Sequence, residues 1–358
     1  MMGNMATTMK TRAALLLPML FVLLQATAAA APAEDFSADG PHKVETLTED
    51  WTDAARGGRV VPVKIYYPAD LSAPAPVVIF SHGLGGSREG YGYLGDHLAS
   101  HGYIAVHVTH AGSDNEALRD AFGDAAAGAA DAQAVIAALR KVAANPANVV
   151  NRPKDISFAI DQLLEINKKE GPLKDRIDRE KIGVAGHSFG GYTAIAVAGQ
   201  TFPGGITFGD KRVKAVVAMS PPVRQPNAKQ FEPITIPVLI MTGTLDESPL
   251  GGGGGADERL KVFNMLTGCQ RYLLVFEGGD HMVFSGRSAN ADRVKLPGNA
   301  GDRAKDPEFQ AFVKASTLRF FDAYLKGDDA AKRWLTADDG AKAALGSNGT
   351  WKHAAPEK

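Results

Sequence analysis

Residues 181–191 read KIGVAGHSFGG, and this stretch decides the fold. Lys181 to Gly186 is a short apolar run of the kind that forms a strand buried on both faces. It passes directly into Gly186-His187-Ser188-Phe189-Gly190, a G-x-S-x-G pattern, and then into a helical segment, Gly191 to Ala198. A strand, a sharp glycine-flanked turn and a helix in that order thrust one serine hydroxyl out at the end of a sheet. The same turn sets the free N–H groups of a helix N-terminus beside it. Ser188 is the candidate nucleophile.

Outward from this point the same rhythm repeats. Pro76 to Phe80 (PVVIF), Tyr103 to Val108 (YIAVHV), Val213 to Met219, Ile236 to Met241 and Tyr272 to Phe276 are short apolar runs. Arg59 to Tyr67 reads as an antiparallel opening strand despite its Pro62. Helical segments at Tyr93 to Ser100, Asp155 to Ile166 and Asp257 to Leu266 separate them. Strand and helix alternating at this spacing predict an α/β fold with a mostly parallel sheet. A long amphipathic helix, Phe309 to Leu325, closes the chain, and its Phe312, Leu318, Phe320, Phe321 and Tyr324 are read as packing. Two stretches break the rhythm. Residues 111–150 hold 15 alanines in 40 and are read as a partly helical insertion, either a cap over the site or an ordinary surface connection. Gly251 to Gly255 is a run of five glycines, read as a loop.

A serine nucleophile requires a base, and the base an orienting acid, in chain order Ser, Asp/Glu, His on such a sheet. Only His281 and His353 follow Ser188. His353 sits in a polar tail with no strand behind it, whereas His281 follows the strand RYLLVF in a Gly-Gly-Asp-His loop. His281 is the candidate base. Asp246 follows the strand IPVLIM, at the carboxyl end where open α/β sheets assemble their sites, and is the candidate acid. Glu247 is the alternative, while Asp280 is expected to point elsewhere. Two backbone N–H donors are required for the developing oxyanion, each worth about 3–4 kcal/mol of barrier. Phe189 is assigned one. The loop Ser81-His82-Gly83-Leu84-Gly85-Gly86 supplies the other, from Leu84, with Gly83 the alternative. His82 is read as a brace for that loop. His107 and His110, three apart on a strand, fall on opposite faces and make a poor metal pair, though one of them is placed to line the pocket. Cys269 is read as structural, and Asn348-Gly349-Thr350 matches the short acceptor pattern for glycosylation.

The N-terminus has a separate meaning. Lys10 and Arg12 precede the twelve-residue apolar run Ala13 to Leu24 and the small residues QATAAAAPA. That order predicts a secretory signal peptide over residues 1–31, cleaved between Ala29 and Ala33, and a catalytic domain over 32–358. Twelve apolar residues are too few for a bilayer, which needs about 20. With 39 Lys+Arg against 40 Asp+Glu, the chain lacks the charge of a nucleic-acid binder. Its single Cys rules out an internal disulfide and a Cys-based zinc site.

The segments VVIFSHGLGGSREGYGYLGDHLASHGYIAVHVTH, RPKDISFAIDQLL and IDREKIGVAGHSFGGYTA resemble those of the α/β-hydrolases. They are most like the branch of platelet-activating-factor acetylhydrolases and dienelactone hydrolases. The resemblance covers about Arg59 to Met282 and implies Ser188 as nucleophile, His281 as base, and Leu84 and Phe189 as oxyanion donors. It departs at two places. Plasma-type acetylhydrolases carry their acid soon after the strand that follows the nucleophile, where this chain has Met219-Ser220-Pro221-Pro222. That shifts the acid to Asp246, as in bacterial polyester hydrolases and cutinases. Dienelactone hydrolases use a Cys nucleophile, and here the position is Ser188.

Together these readings predict a secreted or periplasmic serine esterase that cleaves carboxylic esters, lipid-like or small, without metal or organic cofactor and without nucleic-acid or membrane-spanning parts. The rivals are a lipase, polyesterase or peptidase on the same scaffold, and a non-catalytic binding protein that has kept the fold.

Overall fold

The apolar runs become strands, and the strands form one sheet. In a computed structural model, residues 35–122, 132–222, 226–250, 255–286 and 301–357 are described, with Met1. The expected signal peptide and all but the last glycine of the 251–255 run lie outside them. The strands of the sheet are β1 (Val44–Asp53), β2 (Arg59–Pro68), β3 (Ala75–Ser81), β4 (Ile104–Val108) and β5 (Ile177–His187). After a small hairpin of β6 (Thr201–Phe202) and β7 (Ile206–Thr207) come β8 (Val213–Met219), β9 (Val238–Leu245), β10 (Arg271–Asp280) and β11 (Gly349–Ala354). The order across the sheet is β1-β2-β4-β3-β5-β8-β9-β10-β11. The strands from β4 to β10 in that order run parallel, β2 is antiparallel to both neighbours, and β11 is antiparallel to β10.

Side chains alternate along each strand, so the sheet has two apolar faces. On β3, Val77 and Ile79 enter one core while Val78 and Phe80 enter the other. The first face is covered by α4 (Pro146–Ile166), α5 (Phe189–Val197) and α6 (Ala256–Met265), through residues such as Ile156, Ile160, Ala194 and Val262. The second is covered by α1 (Gly92–Ser100) and α7 (Asp306–Phe321), with α8 (Asp329–Thr336) and α9 (Ala341–Leu345) beyond. Phe309 of α7 stacks on Phe276 of β10 at 4.5 Å. Each such fully buried side chain contributes about 1.5–3 kcal/mol. Cys269 is buried in the first core, where burial pushes its thiol up to about 12, in keeping with a structural role. No helix among the described residues is long and apolar enough to cross a membrane.

Three features differ from the sequence reading. β1 was not anticipated; it is half exposed and pairs with β2 over its whole length. His353 stands in a strand after all, since the tail returns as β11 and places it opposite Tyr272; the Asn348-Gly349-Thr350 pattern runs into that strand. The helix expected from Asp155 starts at Pro146. The Asn145 side chain caps it by accepting from the Ala147 N–H at 3.0 Å, and Pro153 lies inside it. The end of the 111–150 stretch is therefore α4. Its remainder carries α2 (Asn115–Phe122) and α3 (Ala132–Ala143), which pack together.

Candidate active site

The carboxyl ends of the parallel strands bring together Ser81 of β3, Ser188 after β5, Ser220 after β8, Asp246 after β9 and His281 after β10. At the first of these turns Ser188 has φ 54° and ψ −120°, a region that costs a non-glycine residue about 1–3 kcal/mol. The strain is held by the Ser188 N–H donating to the Met219 C=O at 2.8 Å, and by the Tyr192 N–H donating to the Ser188 C=O at 3.1 Å. The flanking glycines are a packing requirement. A Cβ on Gly190 would lie 1.8 Å from the Ser81 carbonyl oxygen, and one on Gly186 would lie 2.3 Å from that of Gly190. Ser188 and Phe189 stay half-buried, within reach of solvent, between buried neighbours.

His281 and Asp246 meet. His281 Nδ1 lies 2.8 Å from Asp246 Oδ1, both side chains buried, while Glu247 is exposed. Asp280 points away as expected, its carboxylate accepting from the N–H groups of Met282 and Gly301. Close approach of the two strand ends depends on Gly243, where a Cβ would lie 2.1 Å from the Gly279 carbonyl oxygen. Three residues that the sequence reading did not single out complete the surroundings of Asp246. The Ser220 hydroxyl donates to Asp246 Oδ2, the Thr242 hydroxyl donates to the same oxygen at 2.7 Å, and the buried Arg259 guanidinium lies 3.2 Å from Oδ1. Burial alone would raise the Asp246 pKa. The charges of His281 and Arg259 and the hydrogen bonds outweigh it, leaving the carboxyl at about 2 and ionised at neutral pH. Ser220 stands just where the resemblance would put the acid of plasma-type acetylhydrolases. In this chain that position supplies a hydroxyl donor to an acid from the next strand.

His187, the variable residue of the motif, sits against His281, the two rings 4.8 Å apart. Its Nε2 lies 2.8 Å from the His281 carbonyl oxygen, which only accepts, so Nε2 carries the proton. Its Nδ1 then accepts from the Tyr91 hydroxyl at 2.7 Å. Burial, and the neighbouring His281, hold His187 well below the ordinary histidine range. It is a neutral brace for the loop that bears His281.

The loop after β3 lies against Ser188, since a Cβ on Gly83 would touch Ser188 Cβ at 3.4 Å. His82 braces it as expected. Its Nε2 accepts from the His110 N–H at 3.1 Å, so Nδ1–H donates to the Gly83 C=O at 2.5 Å. Leu84 is half-buried. Beneath the loop lies a second Ser-His-Asp set: Ser81 Oγ to His110 Nε2 at 2.9 Å, and His110 Nδ1 to Asp155 Oδ2 at 3.0 Å. All three are fully buried, and Asp155 is also tied to Arg56 and Arg59, each at 2.7 Å. No substrate reaches this set, which acts as a structural core for the loop. His107, on the other face of β4, packs between Tyr66 and Phe80 and bonds the Gly90 C=O. Both histidines are buried in packing, so neither lines the pocket.

The helical insertion flanks the site on two sides. Asp114 forms a bridge with Gly86, and Leu118 of α2 lies over Gly85 of the loop. Arg140 of α3 donates to the Leu250 C=O, in the segment after Asp246, at 3.0 and 2.7 Å.

Comparison with known proteins turns on the same elements. Residues 45–242, more than half of the chain, match the family model described as platelet-activating factor acetylhydrolase, isoform II. The chain belongs to this family. Similar curated proteins include the platelet-activating factor acetylhydrolase of Cavia porcellus, 30% identical over 180 residues, 46% of this chain and 39% of that one. The acetylhydrolase of Canis lupus familiaris is 30% identical over 156 residues, covering 39% and 35%. Cutinase est1 of Thermobifida alba is 24% identical over 182 residues, covering 51% and 46%. The matches thus span less than half the length of each of these relatives. The fold is that of the α/β-hydrolases, as the resemblance implied.

Proposed function

We propose that this protein is a serine carboxylic-ester hydrolase working through Ser188, His281 and Asp246. His281 takes the Ser188 Oγ proton as that oxygen attacks the ester carbonyl carbon. The negative carbonyl oxygen is held by the N–H groups of Phe189 and Leu84, with Gly83 the alternative to Leu84. Collapse breaks the ester C–O bond, and His281 returns the proton to the departing alcohol. Water, deprotonated by His281, then attacks the acyl-enzyme and releases the acid. Asp246 accepts from His281 Nδ1–H, which leaves Nε2 free to act as the base. This reading is supported by the buried 2.8 Å His281–Asp246 pair and by the strained, half-buried Ser188, which follow strands of the same parallel sheet at its carboxyl ends. No step requires a metal or organic cofactor.

Within the same reading, residues 1–31 export the protein to the periplasm or the medium, and 32–358 act as one catalytic domain. The α2–α3 insertion caps the site. Relatives named cutinase, and an acid that follows β9, favour polyesterase activity as the second reading. The test is a panel of p-nitrophenyl esters from acetate to palmitate, beside polyester and peptide substrates. Ester turnover that disappears in Ser188→Ala, with fluorophosphonate labelling confined to Ser188, is expected. Peptide turnover exceeding that of every ester, or full activity in Ser188→Ala, would overturn the proposal.

A further inference from the structure

Arg152, on α4, is fully buried, yet every hydrogen bond described for it ends on a neutral oxygen. Its Nε donates to Thr193 Oγ1 at 3.2 Å, and one terminal nitrogen donates to Ser113 Oγ at 2.8 Å. The other reaches Ser81 Oγ at 3.3 Å and the His82 C=O. The guanidinium also lies over the Phe189 ring, 4.5 Å from its centroid. Thr193 in turn donates to the Phe189 C=O at 2.9 Å. One side chain thus touches both segments that flank the Ser188 hydroxyl, the loop after β3 and the start of α5. A planar fork with five donors is suited to this and an ammonium is not.

The consequence follows from peptide geometry. In a trans peptide the C=O and N–H point in opposite directions. Anchoring the His82 C=O therefore aims the Gly83 N–H away from Arg152. The His82 ring, bonded to the Gly83 C=O, aims the Leu84 N–H in the same manner. Burying a cation costs several kcal/mol, which a merely space-filling contact would not require. Burial pulls the guanidinium down to about 9, with Asp155 opposing, so it stays charged at neutral pH.

We propose that Arg152 is the positioning residue of the oxyanion hole, holding the N–H donors of the β3 loop in register with that of Phe189. The inference rests on the ester-hydrolase reading above. It is tested with Arg152→Lys and the near-isosteric Thr193→Val, which removes the Nε acceptor and is the safer variant for folding. Each is compared with the wild type for Tm, for kcat and KM on one p-nitrophenyl ester, and for inhibition by a trifluoromethyl ketone. That inhibitor forms a tetrahedral oxyanion with the serine. The expected result is a folded protein with KM within twofold, kcat lower by about 10–100-fold in Arg152→Lys and about 3–10-fold in Thr193→Val, and inhibition weakened by the same factor as kcat. Folded variants whose kcat and inhibition stay within twofold of wild type would overturn the inference. So would a fall in kcat with inhibition unchanged. An inert wild type overturns this inference together with the reading beneath it, whereas an active wild type beside unaltered variants overturns the inference alone.

Discussion

Mild acid should destabilise this protein well before its carboxylates protonate. His82, His97, His107, His110 and His187 are all buried, and burial pushes each below the ordinary histidine value of 6.5: His97 to about 3, His107 and His110 to about 4, and His82 and His187 well below it. A group whose folded pKa is depressed stabilises the fold fully above its unfolded pKa, and that contribution drains away as pH falls towards the folded value. At pH 5 the unfolded chain has bound protons that the folded one refuses. One such histidine then costs about 2 kcal/mol, being 1.5 pH units at about 1.4 kcal/mol each. The three histidines with numerical values together cost about 6 kcal/mol, against a total stability of about 5–15 kcal/mol for ordinary domains. Asp246, at about 2, and Asp155, lower still, add their own losses only below about pH 4, so the interval from 8 to 5 isolates the histidines. The assay is reversible urea unfolding followed by circular dichroism at pH 8, 7, 6 and 5. Stability should be level above pH 7 and fall by at least about 6 kcal/mol at pH 5, His82 and His187 adding to the loss of the other three. In His107→Phe, where the new ring fits between Tyr66 and Phe80, the fall should shrink by about 2 kcal/mol. A fall below about 1 kcal/mol in the wild type, or an unchanged fall in His107→Phe, would refute the reasoning.

Three further outcomes are expected. Asp246→Asn leaves His281 without its orienting carboxylate and should lower kcat about 10⁴-fold on p-nitrophenyl esters with the fold intact by circular dichroism. Asp155→Ala removes the buried carboxylate shared by Arg56, Arg59 and His110, leaving Arg56 its pair with Asp53 but Arg59 without a carboxylate, and should cost about 3–5 kcal/mol, read as a lowered urea midpoint. Gly190→Ala drives a methyl into the Ser81 carbonyl, so it should yield little or no soluble folded protein, judged by expression and gel filtration against Gly255→Ala, whose φ of −74° suits alanine and whose Cβ would come no nearer than 3.9 Å to a neighbour.

Much of the architecture was legible because burial on both faces leaves a continuous apolar signature. PVVIF and VKAVVAM each became a strand within a residue of the expected bounds, while YLLVF became the centre of β10, which runs four residues further, to Asp280. The elements that escaped lack that signature. β1 alternates half-exposed residues and owes its pairing to β2, and β11 is a six-residue edge strand made of polar residues around Trp351. Pro153 hid the first turns of α4, because a proline preceded by Arg152 reads as a boundary, and only the Asn145 cap and Pro146 mark the true start. At the site, Ser188, His281 and Asp246 were legible from motif, chain order and strand ends. Ser220, Thr242, Arg259 and Arg152 were not, since a hydroxyl or guanidinium that serves a distant carboxylate or carbonyl carries no local pattern. A Ser directly after an apolar strand was the one available hint, at Ser220.

By itself the sequence determined the alternation of strands and helices, the serine turn, and the chain order that leaves one histidine with a strand behind it. These are local properties, written in hydrophobic period and in the steric demands of Gly186 and Gly190. Only the tertiary structure decided that Asp246 meets His281 and that Ser81, His110 and Asp155 form a set sealed from solvent. It also decided what charge sits beneath the loop after β3. Such pairings join residues tens of positions apart, as His281 and Asp246 are, and burial in a shared core is what selects them.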